Sequence, residues 1–267
     1  MNINKKKELF KEINNLILNE VKKYKKSLDT RGRKNKIKYT KFISVFINKL
    51  ETNLTWERLG IIYKISKTHL HNTFCAWSNA NIFKNAFNNF LKKYHLFINN
   101  NEAYIDTTTI YNKYGYINTT GMNTYESKKH KSNKLSILAS SNGIPLGIKI
   151  DTGNIHDLKL LIDTLPKKIY FNYLYADKSY ISKNMKEKLL TKNIKLITPY
   201  KINQKEKNTN DEKDSLKNRM RIEHINNKLK QNKCINTRYI KDLYYFEDFI
   251  YLGCLKLGLQ NIFFNFF

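Results

Sequence analysis

The segment YIDTTTI at residues 104–110 is the first of three β-rich runs that lie near one another in the chain. KLSILAS follows at residues 134–140 and PLGIKI at residues 145–150, and the turn Ser141-Asn142-Gly143 joins these two runs. β-Branched and apolar residues on either side of a Gly-containing turn indicate strands connected as hairpins. The sequence therefore predicts a three-stranded meander.

Helices and strands alternate after the meander. The sequence predicts helices at 156–165, 182–192 and 215–231, strands at 168–176 and 196–199, and a polar loop at 201–214. Three hairpin-connected strands followed by alternating helix and strand form the element order of a ribonuclease-H-like α/β fold. We therefore expect such a core at residues 99–267.

The chain before the meander has helical periodicity, so residues 1–98 are predicted to be an all-helical region. A first amphipathic helix is expected to end at the basic turn of residues 30–34. At the other end of the chain, residues 246–267 are apolar but are interrupted by Glu247, Asp248 and Lys256. This segment predicts a buried terminal helix rather than a membrane span, and nothing at the start of the chain resembles a secretory signal.

Residues 54–77 have the pattern of a helix, a short turn and a second helix. Thr55 and Ser66 are predicted N-caps of the two helices. The expected inward seam consists of Leu59, Ile62, Leu70, Phe74 and Trp77, which leaves Lys67, Thr68, His71 and Asn72 exposed. Such side chains suit a DNA-recognition helix, and an ordinary helical hairpin is the alternative.

Composition limits the classes of protein to consider. The chain has 267 residues, of which 41% are hydrophobic, and this is enough for a folded core. Its 49 Lys and Arg against 22 Asp and Glu give a net charge of +27, which suits a polyanionic partner. The codon bias of an AT-rich genome would also produce many lysines. The 3 cysteines form no CxxC pair, which fits a reducing, intracellular setting.

Three acidic residues occupy positions that suit metal-dependent chemistry. Asp106 lies in the first β run, Asp177 follows the predicted strand at 168–176, and Glu223 lies in the predicted helix at 215–231. Carboxylates at strand ends, joined by a third from a helix, would form an oxygen cage for Mg²⁺ or Mn²⁺. Each also has an ordinary interpretation, as a turn former, a helix cap or one member of a surface ion pair.

The segments around these residues resemble a known family. YIDTTTI, the run KSNKLSILASSNGIPLGIKIDTGNIHD (131–157), YLYADKSYIS (173–182) and NRMRIEHINNKLKQNKCINTRY (218–239) are similar to DDE transposases of bacterial insertion sequences. The resemblance is to family five within the family-four superfamily, and residues 46–83 are similar to the family's N-terminal helical region more loosely. It implies a ribonuclease-H-like core in which Asp106, Asp177 and Glu223 bind metal.

The family signature around the third carboxylate is a Tyr, an Arg, a Glu and a Lys. Arg219, Glu223 and Lys230 match it, whereas Leu216 stands where the family has Tyr. Arg219 is expected to brace Glu223 or bind a phosphate, and Lys230 to contact a DNA phosphate. Lys178 either contacts phosphate or only solvates its loop.

Two further segments have open interpretations. The basic run formed by Lys128, Lys129, His130, Lys131 and Lys134 either follows a DNA backbone or is exposed hairpin charge. His156 and Asp157 are expected to form a helix N-cap, with a supporting role in the site as the alternative.

The resemblance implies an activity and its partners. It predicts a transposase that cleaves DNA strands at element ends and transfers them into target DNA, using two Mg²⁺ or Mn²⁺ ions. The partners would be double-stranded DNA, both inverted-repeat ends and target, and a second copy of the chain in a homodimer assembled on DNA. The alternatives are a nuclease on this fold that only hydrolyses, and an inactive descendant that only binds DNA.

Overall fold

The computed structural model describes residues 3–27, 36–98, 101–122, 130–200 and 208–264. Its helices are α1 (Ile3–Ser27), α2 (Tyr39–Thr52), α3 (Trp56–Tyr63), α4 (Lys67–Asn79), α5 (Ile82–Lys93), α6 (His95–Ile98), α7 (Asp157–Thr164), α8 (Lys183–Leu190), α9 (Asn210–Lys217), α10 (Met220–Lys230), α11 (Lys233–Asn236) and α12 (Leu243–Phe264). Its strands are β1 (Asn101–Asn112), β2 (Gly121–Met122), β3 (Lys131–Ser140), β4 (Pro145–Thr152), β5 (Phe171–Tyr175), β6 (Lys195–Ile197) and β7 (Thr237–Arg238). The basic turn predicted at residues 30–34 and the residues Lys128 and Lys129 lie outside the described residues.

The described residues form two compact units. A helical unit combines residues from 1–93, 113–115 and 229–266, and an α/β unit combines residues from 94–112 and 116–228. The terminal helix α12 therefore packs with the N-terminal helices. The functional division into residues 1–98 and 99–267 stays a prediction.

Aromatic side chains form the centre of the helical unit. Phe74 of α4 stacks on Phe249 of α12 with 4.4 Å between ring centroids, and Phe46 of α2 contacts Phe74 and Trp77 edge to face. Offset-stacked and edge-to-face pairs are the favoured geometries of buried rings. These contacts explain why α12 is buried on all sides, as expected for a terminal core helix. Within the described residues, no helix combines the length and apolarity needed to cross a membrane.

Helices α3 and α4 begin at the predicted caps. Thr55 Oγ1 accepts a hydrogen bond from the Arg58 amide at 3.3 Å, and Ser66 Oγ accepts one from the His69 amide at 3.2 Å. Both bonds satisfy an amide that has no partner inside the helix. The predicted helix, turn and helix are therefore confirmed.

The predicted seam between α3 and α4 needs one correction. Leu59, Leu70, Phe74 and Trp77 are buried, but Ile62 is 56% exposed. The reason is the left-handed residue Lys64 (φ 52°), which reverses the chain at the end of α3. Ile65 follows this reversal and fills the buried position, with 6% exposure.

The sheet of the α/β unit has the ribonuclease-H-like strand order. β4, β3 and β1 are antiparallel neighbours, and β5 and then β6 continue in parallel on the other side of β1. The three-stranded meander and the fold class are thus confirmed. The short strand β2, which pairs with one end of β3, was not predicted because two residues carry no periodicity.

The helix predicted at 215–231 is in fact two helices. α9 ends at Lys217 and α10 begins at Met220, with a turn at Asn218 and Arg219 between them. α9 starts within the predicted polar loop, because Thr209 and Glu212 form a reciprocal capping box. Arg219 therefore lies in the turn before α10 and not on the helix that carries Glu223.

A glycine lets α7 approach the sheet closely. A Cβ atom added to Gly147 of β4 would lie 1.9 Å from the carbonyl oxygen of Thr164 in α7. We expect Gly147→Ala to lower the free energy of unfolding by about 3 kcal/mol, measured by urea denaturation, because backbone must move. Gly253→Ala in α12 is the control, because the nearest atoms to its Cβ would be the side-chain ends of Ile235, Leu229 and Leu50, which can shift. Equal losses at the two positions would contradict this explanation.

Candidate active site

Two of the predicted acidic residues lie on neighbouring parallel strands. Asp106 is in β1, and Asp177 follows β5 after one intervening residue. The β1–β5 register pairs Tyr104 with Tyr175, so each aspartate lies two residues beyond this pair. Neighbouring strands are separated by about 4.8 Å. The sheet therefore places Asp106 and Asp177 side by side where β5 ends, although Asp106 lies inside β1 and not at a strand end as the sequence predicted.

Arg219 lies between Asp106 and the third acidic residue. Its Nη1 atom is 3.6 Å from Asp106 Oδ1, and its Nη2 atom is 3.5 Å from Glu223 Oε1. These distances are those of ion pairs rather than of short hydrogen bonds. The expected contact between Arg219 and Glu223 is present, although Arg219 reaches it from the turn before α10.

Asn226 also contacts Asp106, and the sequence analysis did not identify it. Its Nδ2 atom donates a hydrogen bond to Asp106 Oδ2 at 3.2 Å. Asn226 follows Glu223 by three residues on α10, a spacing that places two side chains on the same helix face. This spacing was the available signal.

The charge on Asp106 is disfavoured by its surroundings. Burial raises the pKa of Asp106 to about 6, Arg219 opposes the rise, and the charges of Asp177 and Glu223 add to it. Asp106 is thus close enough to Asp177 and to Glu223 to be repelled by each of them. A cation placed among them would relieve this repulsion.

The donor atoms fit a hard divalent cation. The site offers carboxylate oxygens from Asp106, Asp177 and Glu223, the ligands that Mg²⁺ and Mn²⁺ prefer. Asn226 Oδ1 is buried and has no hydrogen-bond partner among the described residues. In the part of the chain that the structure describes, however, no three His, Cys, Asp or Glu side chains lie close enough together to hold a metal ion, so the carboxylates would have to draw together around it.

Asp177 belongs to a local polar network. Its Oδ1 atom accepts hydrogen bonds from the backbone amide of Ser179, at 2.8 Å, and from the Ser179 hydroxyl. Ser179 Oγ is also 3.2 Å from Asp157 Oδ2, and Lys134 Nζ is 2.8 Å from Asp157 Oδ1. His156 caps α7 through its Nδ1 atom, which accepts from the Leu158 amide at 3.2 Å, as predicted. Ser179 had no sequence signal.

The location of Lys134 corrects one interpretation of the basic run. Lys134 is only 9% exposed and its ammonium group is paired with Asp157. It therefore neither follows a DNA backbone nor contributes exposed hairpin charge. His130 and Lys131 are exposed.

The remaining residues predicted to bind DNA are placed as follows. Lys67, His71 and Asn72 are exposed on α4, and Lys178 is exposed at the start of a 3₁₀ turn after Asp177. Lys230 is the last residue of α10 and is half-buried. The α/β unit therefore contains Arg219 and Lys178, and the helical unit contains the exposed residues of α4.

Arg221 fixes the beginning of α10 to the sheet. Its Nη1 atom donates to the Ser141 carbonyl in the β3–β4 turn at 2.7 Å. The charge-assisted bond holds the helix two residues before Glu223. Sequence alone could not identify this contact, which joins residues 80 positions apart.

Comparison with known proteins gives a family match over part of the chain. Residues 127–241 match the family described as "Transposase DDE domain". The matched segment includes Asp177 and Glu223, whereas Asp106 lies before it. No curated protein sequence is significantly similar to this chain.

Several solved structures of the Mos1 transposase align with the chain. The Mos1 strand transfer complex is 10% identical, covers 84% of this chain and 78% of its own chain, and has a TM-score of 0.26. The Mos1 paired-end complex with the left transposon end is 11% identical, with coverages of 88% and 80% and a TM-score of 0.25. The Mos1 mariner paired-end complex with Mn is 10% identical, with coverages of 93% and 87% and a TM-score of 0.25. These scores are too low to add to the argument. The family match is the informative result, and it supports a DDE transposase.

Proposed function

We propose that this protein is a transposase of a bacterial insertion sequence, of family five within the family-four superfamily. Asp106, Asp177 and Glu223 would be its catalytic, metal-binding residues. The observation that carries the proposal is that Asp106 and Asp177 lie side by side on adjacent parallel strands, with Arg219 between Asp106 and Glu223. The match of residues 127–241 to a transposase DDE domain supports it.

The chain's own residues would prepare the site for phosphoryl transfer. Asp106, Asp177 and Glu223 would hold two Mg²⁺ or Mn²⁺ ions, which would supply an activated attacking hydroxyl and charge stabilisation of the leaving oxygen. Arg219 neutralises part of the carboxylate charge between Asp106 and Glu223 and can turn its guanidinium toward a DNA phosphate. Asn226 orients Asp106. In two successive reactions, water would cleave an element end, and the freed 3′-hydroxyl would attack target DNA.

The proposed partner is double-stranded DNA, so the protein would act inside the cell. Residues 1–98 would bind the inverted-repeat ends through Lys67, His71 and Asn72 of α4, while Arg219, Lys178 and Lys230 would bind phosphates near the reacting strand. Transposition needs two element ends, so we propose a homodimer assembled on DNA.

A strand-transfer experiment tests the proposal. Full-length protein is incubated with Mg²⁺ or Mn²⁺, a target plasmid and a duplex that carries the inverted repeats flanking its reading frame. Cleaved ends and joined products are expected. Cleavage without joining would favour a nuclease that only hydrolyses, and binding without cleavage would favour an inactive DNA-binding descendant.

The role of α4 leads to a DNA-binding prediction. Because Lys67 would contact phosphate, Lys67→Ala should weaken binding to all DNA sequences. It should also reduce the slope of log K against the logarithm of the salt concentration by about one. Because Asn72 would contact a base, Asn72→Ala should reduce the preference for the terminal repeat over random DNA about tenfold. Fluorescence anisotropy at several salt concentrations measures both effects. Lys188→Ala, at an exposed position in α8, should change neither, and equal behaviour of all three variants would contradict the assignment.

A further inference from the structure

Asp177 is held by a serine that stands between two carboxylates. The Ser179 hydroxyl donates to Asp177 Oδ1, and Ser179 Oγ is also 3.2 Å from Asp157 Oδ2. A serine hydroxyl has one proton, so it can donate fully to only one of these carboxylates. The position of that proton decides whether the hydroxyl joins the Ser179 amide in holding Asp177 Oδ1.

Lys134 reduces the demand of Asp157 for this proton. Its ammonium group is 2.8 Å from Asp157 Oδ1 and donates to the Ile155 carbonyl at 2.7 Å. The side chains of Lys134 and Asp157 are 11% and 20% exposed, so solvent screens this ion pair little. Asp157 is also the first residue of α7, where the helix dipole favours a negative charge. With Asp157 neutralised in these two ways, the Ser179 proton remains available to Asp177.

We propose that Ser179, supported by Asp157 and Lys134, is the positioning residue of Asp177. Its hydroxyl fixes Oδ1 and so sets the orientation in which the carboxylate meets a divalent cation. The inference rests on the proposed function, because it assumes that Asp177 binds metal. Groups that orient metal ligands in this way typically change metal affinity 10- to 100-fold when they are removed.

The simpler alternative is that Asp177 and Ser179 only shape the 3₁₀ turn that follows β5. Asp177 does cap this turn through the Ser179 amide. A purely structural role would alter stability without altering metal affinity. The two roles can therefore be separated by measuring both quantities in the same variants.

The test is an isothermal titration calorimetry experiment in which Mn²⁺ is added to the full-length protein in the absence of DNA. Ser179→Ala should raise the Mn²⁺ dissociation constant about tenfold or more. Ser179→Thr keeps the hydroxyl and should remain within about threefold of the wild type. DNA affinity in EDTA should be equal in all three proteins, because Ser179 would not contact DNA.

Ser182→Ala is the matched control. Ser182 lies three residues after Ser179 and caps α8 by accepting from the Met185 amide at 3.2 Å. Among the described residues its side chain makes no hydrogen bond with Asp177. Loss of this cap should lower stability by about 1 kcal/mol while leaving Mn²⁺ affinity unchanged. If Ser182→Ala lost as much Mn²⁺ affinity as Ser179→Ala, a general loss of order in the segment after β5 would explain both results. That outcome would overturn the inference.

The remaining outcomes separate the inference from the proposed function. If Ser179→Ala leaves the Mn²⁺ affinity unchanged while Mn²⁺ binding still depends on Asp106 and Asp177, the inference about Ser179 fails and the proposed function stands. Wild-type protein that binds no Mn²⁺, or binds it equally well after Asp106→Asn, overturns the proposed metal site and the inference with it.

Discussion

Asp106→Asn should reduce strand cleavage at least about 1000-fold, which corresponds to about 4 kcal/mol of lost transition-state stabilisation. Asp106 lies between the donors Asn226 Nδ2 and Arg219 Nη1, and a carboxylate can accept from both. An asparagine would accept with its oxygen but present its amide group to the other donor, and it would bring no negative charge to a cation. Gel assays of cleaved and joined products measure the loss, and Asp177→Asn and Glu223→Gln should behave similarly.

The same substitution should not destabilise the metal-free protein. Burial raises the pKa of Asp106 to about 6, so the ionised side chain lowers stability as the pH rises from about 4 through 6. Asparagine removes this cost, which offsets the contact that its amide group loses with one of the two donors, so the melting temperature of Asp106→Asn at pH 7.5 in EDTA should stay close to that of the wild type. Millimolar Mn²⁺ should raise the melting temperature of the wild type but not that of the variant, because only a bound ion shifts the folding equilibrium.

Asp163→Asn provides the control for both measurements. Asp163 is an exposed carboxylate on α7. This variant should cleave DNA and respond to Mn²⁺ as the wild type does. DNA affinity in EDTA should be retained in Asp106→Asn. Cleavage that persists in Asp106→Asn would remove Asp106 from the catalytic site.

Features determined by neighbouring residues were predictable from sequence. The N-caps Thr55 and Ser66, the strands around residues 104–110, 134–140 and 145–150, and the cap at His156 all follow from residue types within a few positions of one another. The parallel pairing of β1 and β5, which brings Asp106 and Asp177 side by side, could be predicted from the alternation of strands and helices. These predictions needed no knowledge of distant packing.

Features that depend on distant or competing contacts were not predictable. Lys134 belongs to a basic run, yet it pairs with Asp157, which follows it by 23 positions, and is therefore buried. Ile62 fits the apolar spacing of α3, but the reversal at Lys64 gives its buried place to Ile65. The helix that starts at Thr209 is a different case, because the spacing of Thr209 and Glu212 was a readable capping-box signal that the polar composition of the segment outweighed. For Lys134 and Ile62 the local pattern is overridden by the packing around it.

Asp248 provides a pH-dependent prediction for the helical unit. It lies on α12, is 4% exposed, and its Oδ2 atom is buried without a hydrogen-bond partner among the described residues. Burial raises its pKa from 3.8 to about 7; the side chain of Ser78 and the charge of Lys84 oppose the rise, and Glu247 adds to it. Between about pH 4 and pH 7, the folded protein therefore keeps a proton on Asp248 that the unfolded chain has lost. Over this range the contribution of Asp248 to stability falls as the pH rises.

Asp248→Asn should therefore stabilise the protein most at pH 8. The variant keeps the size of the side chain but cannot ionise, so the gain in unfolding free energy should be small at pH 4 and approach about 4 kcal/mol above pH 7. Urea denaturation of the wild type and the variant across this range measures the difference. Glu57→Gln, which changes an exposed carboxylate of α3, should show no comparable dependence on pH. A difference between Asp248→Asn and the wild type that stays constant from pH 4 to pH 8 would mean that Asp248 does not titrate in this range, and that α12 holds its carboxylate in a more polar setting than its burial indicates.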